Sequence, residues 1–388
     1  MILWGYKKEK LAPKAHHPFF PHSLSSLPIF ISKANKQSIS PPTPPPSLAF
    51  PCSPKNSWQP IMTVHTATPS YWLNWRFVVC AICVLVSIVV GSIVIIKHEG
   101  PRNSKQGSRE AGKEPAGVLY EDEVWKPCLK TIHPAWLLAF RVVAFFVLLV
   151  LLILNVAVDG GDIFYYYTQW TFTLITLYFG LGSLLSMYGC FQYHNKVGGD
   201  ETYNGTFDAE RGTYVENSNA SLGGKHLQST EQRQVRQTAG FWSYIFQIVF
   251  QMNAGAVMLT DCVFWLLIVP FLEIKDYNLN FWIINMHTIN AVFLLVDTSL
   301  NCLRFPWFRI AYFFLWTAIY VIFQWIVHAC FSLWWPYPFL DLSSPFAPLW
   351  YSSVGFMHIP CFGIFVLIMK MKHSLLSRWF PHSYQCVR

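Results

Sequence analysis

The stretch NMHTINAVFLLVDTSLNCL, residues 285–303, is apolar enough for a membrane yet contains side chains that can exchange protons. Positions i, i+3, i+7, i+10 and i+14 share one face of an α-helix. Here they are His287, Asn290, Leu294, Asp297 and Asn301. Burying such polar groups against lipid tails is costly, so we expect this face to turn into a helix bundle. A neutral imidazole on it is suited to act as a base.

Other apolar runs supply polar groups that could meet this face: Thr168, Arg141, Asp261, His328 and His358. Arg141 and Asp297 lie toward the same predicted membrane side, and we expect them to form a structural ion pair or, alternatively, a proton or ion relay. On the other side, Thr168, His287, Asp261 and His328 are expected to converge on one polar pocket. Helical rise places His287 about 9 Å deep and Asp261 about 15 Å deep.

Each of these residues also has a simpler structural interpretation. A histidine can bond a neighbouring carbonyl, and Thr168 can satisfy its own helix. No H-E-x-x-H or comparable spacing predicts a metal site, and no cofactor is predicted. The ten cysteines show no disulfide framework, and the C-x-x-C of Cys80 and Cys83 is interpreted as helix packing.

The elements that position these residues follow from composition. The chain of 388 residues is 53% hydrophobic and only 12% charged, which indicates an integral membrane protein. We predict an all-α, polytopic transmembrane bundle with seven spans, approximately 77–97, 135–158, 170–193, 242–271, 281–303, 308–332 and 349–369. Ten of the 17 tryptophans fall at or beside span ends, as expected for the headgroup level.

Basic residues alternate across the predicted spans. The regions after spans 1, 3, 5 and 7 carry 18 lysines and arginines, whereas those after spans 2, 4 and 6 carry only Lys275. The positive-inside rule therefore predicts a cytosolic carboxyl terminus. The sequons at Asn204 and Asn219 lie on the same side and are expected to be unused. The membrane is predicted to be the plasma membrane or an endomembrane such as the endoplasmic reticulum, the partners are membrane lipids, and no nucleic-acid motif occurs.

Four regions are predicted along the chain. Residues 1–66 form a disordered extension rich in proline and serine, with Met62 as a candidate start. Residues 67–371 form the helix bundle, interrupted by a flexible cytosolic loop at 194–240. Residues 372–388 form a basic cytosolic tail.

Four stretches resemble the rolling-stone-like multi-pass membrane proteins, particularly the plant members: TPSYWLNWRF at 68–77, FYYYTQWTFTLITLYFG at 164–180, NMHTINAVFLLVDTSLNCLRFPWFR at 285–309 and WWPYPFLD at 334–341. The resemblance covers about residues 66–380. It implies a multi-pass architecture with an unsettled biochemical role.

A more distant resemblance concerns chemistry. YYYT and NMHT are similar to the Tyr-x-Thr and Asn-x-x-His contexts of the androgen-induced family of membrane threonine hydrolases. That resemblance implies Thr168 as nucleophile, His287 as base and a fatty-acid ester as ligand. The residues leave three hypotheses open: a non-enzymatic multi-pass protein, a Thr/His lipid esterase, and a transporter or proton-coupled membrane protein.

Overall fold

The computed structural model of the protein describes residues 66–100, 117–209, 237–268 and 281–386. Within these ranges the chain is helical, with no strands and only isolated β-bridges. The helices are α1 (Pro69–Trp72), α2 (Trp75–Glu99), α3 (Pro134–Asp159), α4 (Tyr167–Ala209), α5 (Phe241–Cys262), α6 (Phe281–Leu300), α7 (Ile310–Cys330) and α8 (Ala347–Trp379). A π-helical turn, Val263–Ile268, follows α5.

Six helices in the described part of the chain are long and apolar enough to cross a membrane: Trp75–Glu99, Pro134–Asp159, Tyr167–Asn195, Phe241–Leu266, Trp307–Cys330 and Ala347–Trp379. They coincide with six of the seven predicted spans. The remaining predicted span, 281–303, is α6, which is not among these six and packs against α3, α4 and α5. The prediction of an all-α, multi-pass membrane bundle is confirmed.

Successive long helices run in opposite directions, so the bundle has two faces. We call the "C-terminal face" the end where α3, α5 and α7 begin and α6 and α8 finish. The "opposite face" carries α1, the start of α2 and the turn Pro338–Leu340. Val78, Ile82 and Leu85 of α2 are exposed and form part of an apolar surface suited to lipid.

Close helix approaches depend on two glycines. A Cβ at Gly182 of α4 would lie 2.8 Å from Phe246 Cε2, and one at Gly255 of α5 would lie 2.4 Å from Phe313 Cδ1. Both aromatic rings are fully buried. Because small residues let helix backbones approach closely, these positions fix how α4 packs on α5 and α5 on α7.

The predicted domain boundaries differ from the structure in three places. Thr66, placed in the extension, is buried, and its hydroxyl donates to the Phe331 carbonyl at 3.3 Å; the rest of 1–65 lies outside the described residues. Helix α4 continues to Ala209, so the start of the predicted 194–240 loop is helical, while 210–236 lie outside the described residues. Helix α8 continues to Trp379, into the predicted tail.

The carboxyl-terminal segment packs against the C-terminal face. Gln385 donates its backbone N–H to the Cys128 carbonyl at 3.1 Å. A disulfide joins Cys302, just after α6, to Cys386. Cys128 packs beside this disulfide, and burial raises the pKa of its thiol. The cysteine spacing showed no disulfide framework and did not indicate this single bridge, because residues far apart in sequence meet where the tail folds back.

Candidate functional site

A buried ion pair lies in the half of the bundle next to the C-terminal face. Arg141 Nε donates to Asp297 Oδ1 at 2.8 Å, and both side chains are fully buried. Arg141 Nη1 also donates to the Val124 carbonyl at 2.9 Å and to Ser186 Oγ at 2.7 Å. The predicted pairing of Arg141 with Asp297 is confirmed, with partners from α3, α4 and α6.

The second carboxylate oxygen is also occupied. Asp297 Oδ2 accepts from the Tyr178 hydroxyl at 2.5 Å and from Asn301 Nδ2 at 2.8 Å. Lys372 of α8 donates to the Asn301 carbonyl at 2.5 Å. We call these residues the Arg141–Asp297 network: Arg141, Tyr178, Ser186, Asp297, Asn301 and Lys372. Within the described chain, none of their buried side-chain nitrogen or oxygen atoms lacks a partner.

A second polar group lies in the half next to the opposite face. His287 Nδ1 of α6 is 3.7 Å from Asp261 Oδ1 of α5. The imidazole stacks on Phe264, with ring centroids 3.7 Å apart. Phe264 belongs to the π-helical turn after α5, a type of distortion that is frequent at functional sites. Asp261 and His287 therefore meet, although helical rise placed them at different depths.

Met286, the residue before His287, joins three other helical side chains to this group. Its sulfur accepts from Asn155 Nδ2 of α3 and from Gln169 Nε2 of α4, each at 3.4 Å. Its carbonyl accepts from Asn290 Nδ2 at 2.7 Å. Side chains from α3, α4, α5 and α6 thus converge. We call them the His287 cluster: Asn155, Gln169, Asp261, Met286, His287 and Asn290.

The His287 cluster contains acceptors without donors. Gln169 Oε1, Asp261 Oδ1 and Asn290 Oδ1 are three of eleven buried side-chain atoms that have no hydrogen-bond partner in the described part of the protein. Each unmet acceptor costs about 1–3 kcal/mol. These three surround the consecutive residues Met286 and His287. A donor from a water or from a ligand would satisfy each of these acceptors.

Thr168 lies in the first turn of α4 and is half-buried. No hydrogen bond joins it to His287 among the described residues. The α4 residue that reaches the cluster is its neighbour Gln169, through the sulfur of Met286. The pairing of Thr168 with His287 as nucleophile and base stays a prediction.

The two other histidines have separate surroundings. His328 Nδ1 lies 2.7 Å from the Gln324 carbonyl, and its ring stacks on Trp335 at 3.8 Å between centroids. His358 Nδ1 lies 2.8 Å from the Val354 carbonyl, and its Nε2 lies 2.8 Å from Thr317 Oγ1. Neither has a hydrogen bond to the His287 cluster within the described segments. The structural interpretation fits both, and the expected convergence of His328 with His287 is not observed.

Several of these residues were missed from the sequence. Asn155 carried a usable signal, because it is a polar residue within an apolar run. Met286 carried none, since methionine is ordinary in a span. Lys372 was assigned to the tail, yet it is buried and bound to the Asn301 carbonyl.

Neither a metal-binding arrangement nor a similar known protein identifies the function of this site. No group of three or more His, Cys, Asp or Glu side chains in the described ranges is arranged to hold a metal ion. Comparison of the chain with protein-family models, with curated proteins and with solved structures found no match.

Proposed function

We propose that this multi-pass membrane protein is proton-coupled, with His287 and Asp261 as the pair that takes up and releases the proton. The observation that carries the proposal is the buried Asp261 Oδ1, which has no hydrogen-bond partner among the described residues yet lies 3.7 Å from His287 Nδ1. Ionisable residues inside a membrane bundle are costly and mark proton or solute pathways.

The pair suits proton exchange because two arrangements are available to it. An imidazolium beside a carboxylate is stabilised by attraction, whereas the neutral pair avoids the cost of burying two charges. Phe264 stacks on the imidazole and holds its plane beside the Asp261 carboxyl.

The amide oxygens suggest the kind of solute. Gln169 Oε1 and Asn290 Oδ1 are acceptors without donors in the described chain, while both amide nitrogens are engaged near Met286. A small solute that carries hydroxyl or ammonium groups would supply the kind of donor that both oxygens lack. Binding of such a solute and protonation of Asp261 would then influence each other through shared electrostatics.

Infrared difference spectroscopy of the full chain in liposomes tests the proton step. Acidification is expected to produce a protonated-carboxyl band that disappears in Asp261→Asn and shifts in His287→Gln. Asp162→Asn is the matched control, because Asp162 is exposed in the turn after α3. A spectrum of Asp261→Asn identical to that of the unmodified protein would overturn the proposal.

A second candidate, a Thr/His lipid ester hydrolase, is favoured by the Asp261–His287 contact. In such enzymes a carboxylate orients the imidazole that takes a proton from the nucleophile. Thr168 is the residue next to Gln169, which reaches the same cluster. The Thr168 hydroxyl would attack the ester carbonyl of a fatty-acid ester, expel the alcohol, and leave an acyl-enzyme for water to hydrolyse.

A fluorophosphonate probe separates this candidate from the first. Labelling that is lost in Thr168→Ala and kept in Thr171→Ala supports hydrolysis, since Thr171 is a buried threonine one turn further along α4 that donates to its own helix. Absence of labelling of the intact protein removes the hydrolase and leaves the proton-coupled proposal untouched.

We also infer that the carboxyl terminus is cytosolic and that the chain is rolling-stone-like, the latter from the four quoted stretches. The basic residues of the C-terminal face support the orientation. The Cys302–Cys386 disulfide and the two sequons oppose it, because disulfides and glycans are features of oxidising compartments. A cytosolic face predicts that Cys386 is alkylated in cells without prior reduction and that endoglycosidase causes no mobility shift; the reverse results would place this face outside.

A further inference from the structure

A polar pocket of about 220 Å³ lies on the opposite face, at the start of α2. It is lined by Thr68, Ser70, Tyr71, Asn74, Arg76 and Ser343. The described segments of the chain at this face are residues 66–76, 159–167 and 331–347. Among them, Arg76 is the one lysine or arginine. A basic side chain on a face that is otherwise poor in positive charge is a candidate for binding an anionic group.

The guanidinium of Arg76 is held in a fixed orientation. Its Nη1 donates to the Ser343 carbonyl at 2.5 Å, and its Nε lies 3.3 Å from Asn74 Oδ1. Asn74 Oδ1 also accepts from the Arg76 backbone N–H and so caps α2. Arg76 forms no ion pair with an acidic side chain in the described chain. Its two partners, the Asn74 amide and the Ser343 carbonyl, are neutral and do not balance its positive charge.

The nearby carboxylate of Asp341 is directed elsewhere. Its Oδ1 accepts from the Tyr71 hydroxyl at 2.7 Å, and its Oδ2 accepts from the Ser343 hydroxyl at 2.7 Å. Burial and the adjacent Asp341 raise the pKa of Tyr71, which keeps the phenol protonated as a donor. Asp341 therefore braces the loop that carries Ser343 and leaves the Arg76 charge available.

The pocket lies at the depth of lipid headgroups. Trp75, the first residue of α2, is 67% exposed, as expected for an indole at the membrane interface. Directly beyond it along α2, Val78 and Ile82 are exposed apolar side chains. A lipid whose tails cover this surface has its headgroup beside Arg76.

We propose that this pocket binds the phosphate group of a membrane phospholipid, with Arg76 as its main contact. A guanidinium forms two parallel hydrogen bonds to phosphate oxygens, and the Ser70 hydroxyl can add a third donor. The volume is below that of drug-sized sites, so it suits a phosphate and its immediate substituents while the tails stay outside. This site is separate from the His287 cluster and does not depend on the proposed proton coupling.

The test measures thermal unfolding and native mass spectra of the delipidated full chain in neutral detergent. The probes are phosphatidylglycerol, diacylglycerol with the same tails, and inorganic phosphate. Phosphatidylglycerol is expected to raise Tm and to stay bound, diacylglycerol is not, and Arg76→Gln weakens the binding about tenfold or more. Arg76→Lys keeps the charge without the planar fork and is expected to bind with intermediate affinity.

Arg378→Gln is the matched control, because Arg378 is an exposed arginine on the C-terminal face. Should inorganic phosphate stabilise the protein as much as phosphatidylglycerol, the site is a free-anion site and the lipid assignment is wrong. Equal retention of phosphatidylglycerol by the unmodified protein, Arg76→Gln and Arg76→Lys would overturn the proposal. Because mass spectra count bound lipid directly, a lower Tm of Arg76→Gln alone does not obscure the result.

Discussion

Each half of the bundle contains an aspartate with a buried carboxylate oxygen, and the two aspartates differ in their hydrogen-bond partners. Asp297 has both oxygens occupied, and every buried side-chain atom of the Arg141–Asp297 network has a partner. Asp261 has an oxygen without a partner among the described residues, and the His287 cluster contains two further acceptors in the same condition. Buried polar networks in which every group is hydrogen-bonded rigidify a fold. A buried polar group without a partner in a native structure often has a ligand, a bound water or a catalytic role.

The two regions also differ in how strongly they connect the helices. The Arg141–Asp297 network reaches α3, α4, α6 and α8, and Lys372 of α8 donates to the carbonyl of Asn301, the residue before the disulfide-bonded Cys302. The His287 cluster includes a weak pair of amide-to-sulfur contacts and adjoins the π-helical turn. One half of the bundle interior therefore contains a fully hydrogen-bonded network, and the other is the half to which we assign the proposed function.

The largest effect is expected for Arg141→Met. Removal of one partner leaves the buried Asp297 charge unpaired, and the free energy of unfolding is expected to fall by about 3–5 kcal/mol. Denaturant titration in detergent micelles measures the loss. The double variant Arg141→Met/Asp297→Leu is expected to regain most of it; a double variant as unstable as the sum of the singles would refute the pairing argument.

A smaller loss is expected for Gly182→Ala, which tests the packing around the same network. The added Cβ would lie 2.8 Å from Phe246 Cε2 and 3.3 Å from Arg141 Cδ, so both side chains must shift. Overpacking of this kind costs about 1–3 kcal/mol. Thermal unfolding compares it with Gly355→Ala, whose Cβ would meet nothing within 4 Å. Equal Tm values for the two variants would show that α4 is free to adjust here.

Met286→Leu tests the hub of the His287 cluster. The change keeps the volume but leaves the amide groups of Asn155 and Gln169 without the sulfur acceptor, and a cost of about 1 kcal/mol is expected. Met258→Leu, on α5 and half-buried in the apolar core, is the control with no such contact among the described residues. A Met286→Leu protein as stable as this control would mean that the sulfur contacts contribute nothing.

The smallest effect is expected for Asn290→Leu, which removes an unmet acceptor together with one hydrogen bond inside α6. We expect a change in unfolding free energy of about zero, or slight stabilisation. Asn301→Leu near the end of the same helix removes a donor to Asp297 and is expected to cost about 1–3 kcal/mol. Comparable losses in the two variants would erase the distinction between the regions.

The sequence was sufficient for the architecture and for one ion pair. Apolar run lengths predicted the helices because the bilayer permits few alternatives. Arg141 and Asp297 were predicted at the same side of the membrane, where few other charged side chains were available to pair with either of them. The convergence of Asp261 with His287 was expected, but the two depths from helical rise differed because that estimate assumes straight, upright helices, whereas α5 is followed by a π-helical turn. The Met286 hub and the Cys302–Cys386 link depend on tertiary placement that no local pattern encodes.

The most direct test makes the same substitution in both regions. Asp297→Asn and Asp261→Asn each replace one carboxylate oxygen by an amide nitrogen. The free energy of unfolding of each variant is measured under identical detergent conditions. We expect Asp297→Asn to lose about 3–5 kcal/mol, because it leaves the Arg141 charge uncompensated. Asp261→Asn is expected to stay within about 1 kcal/mol of the unmodified protein. Equal losses would contradict the assignment of the two halves to stability and to binding.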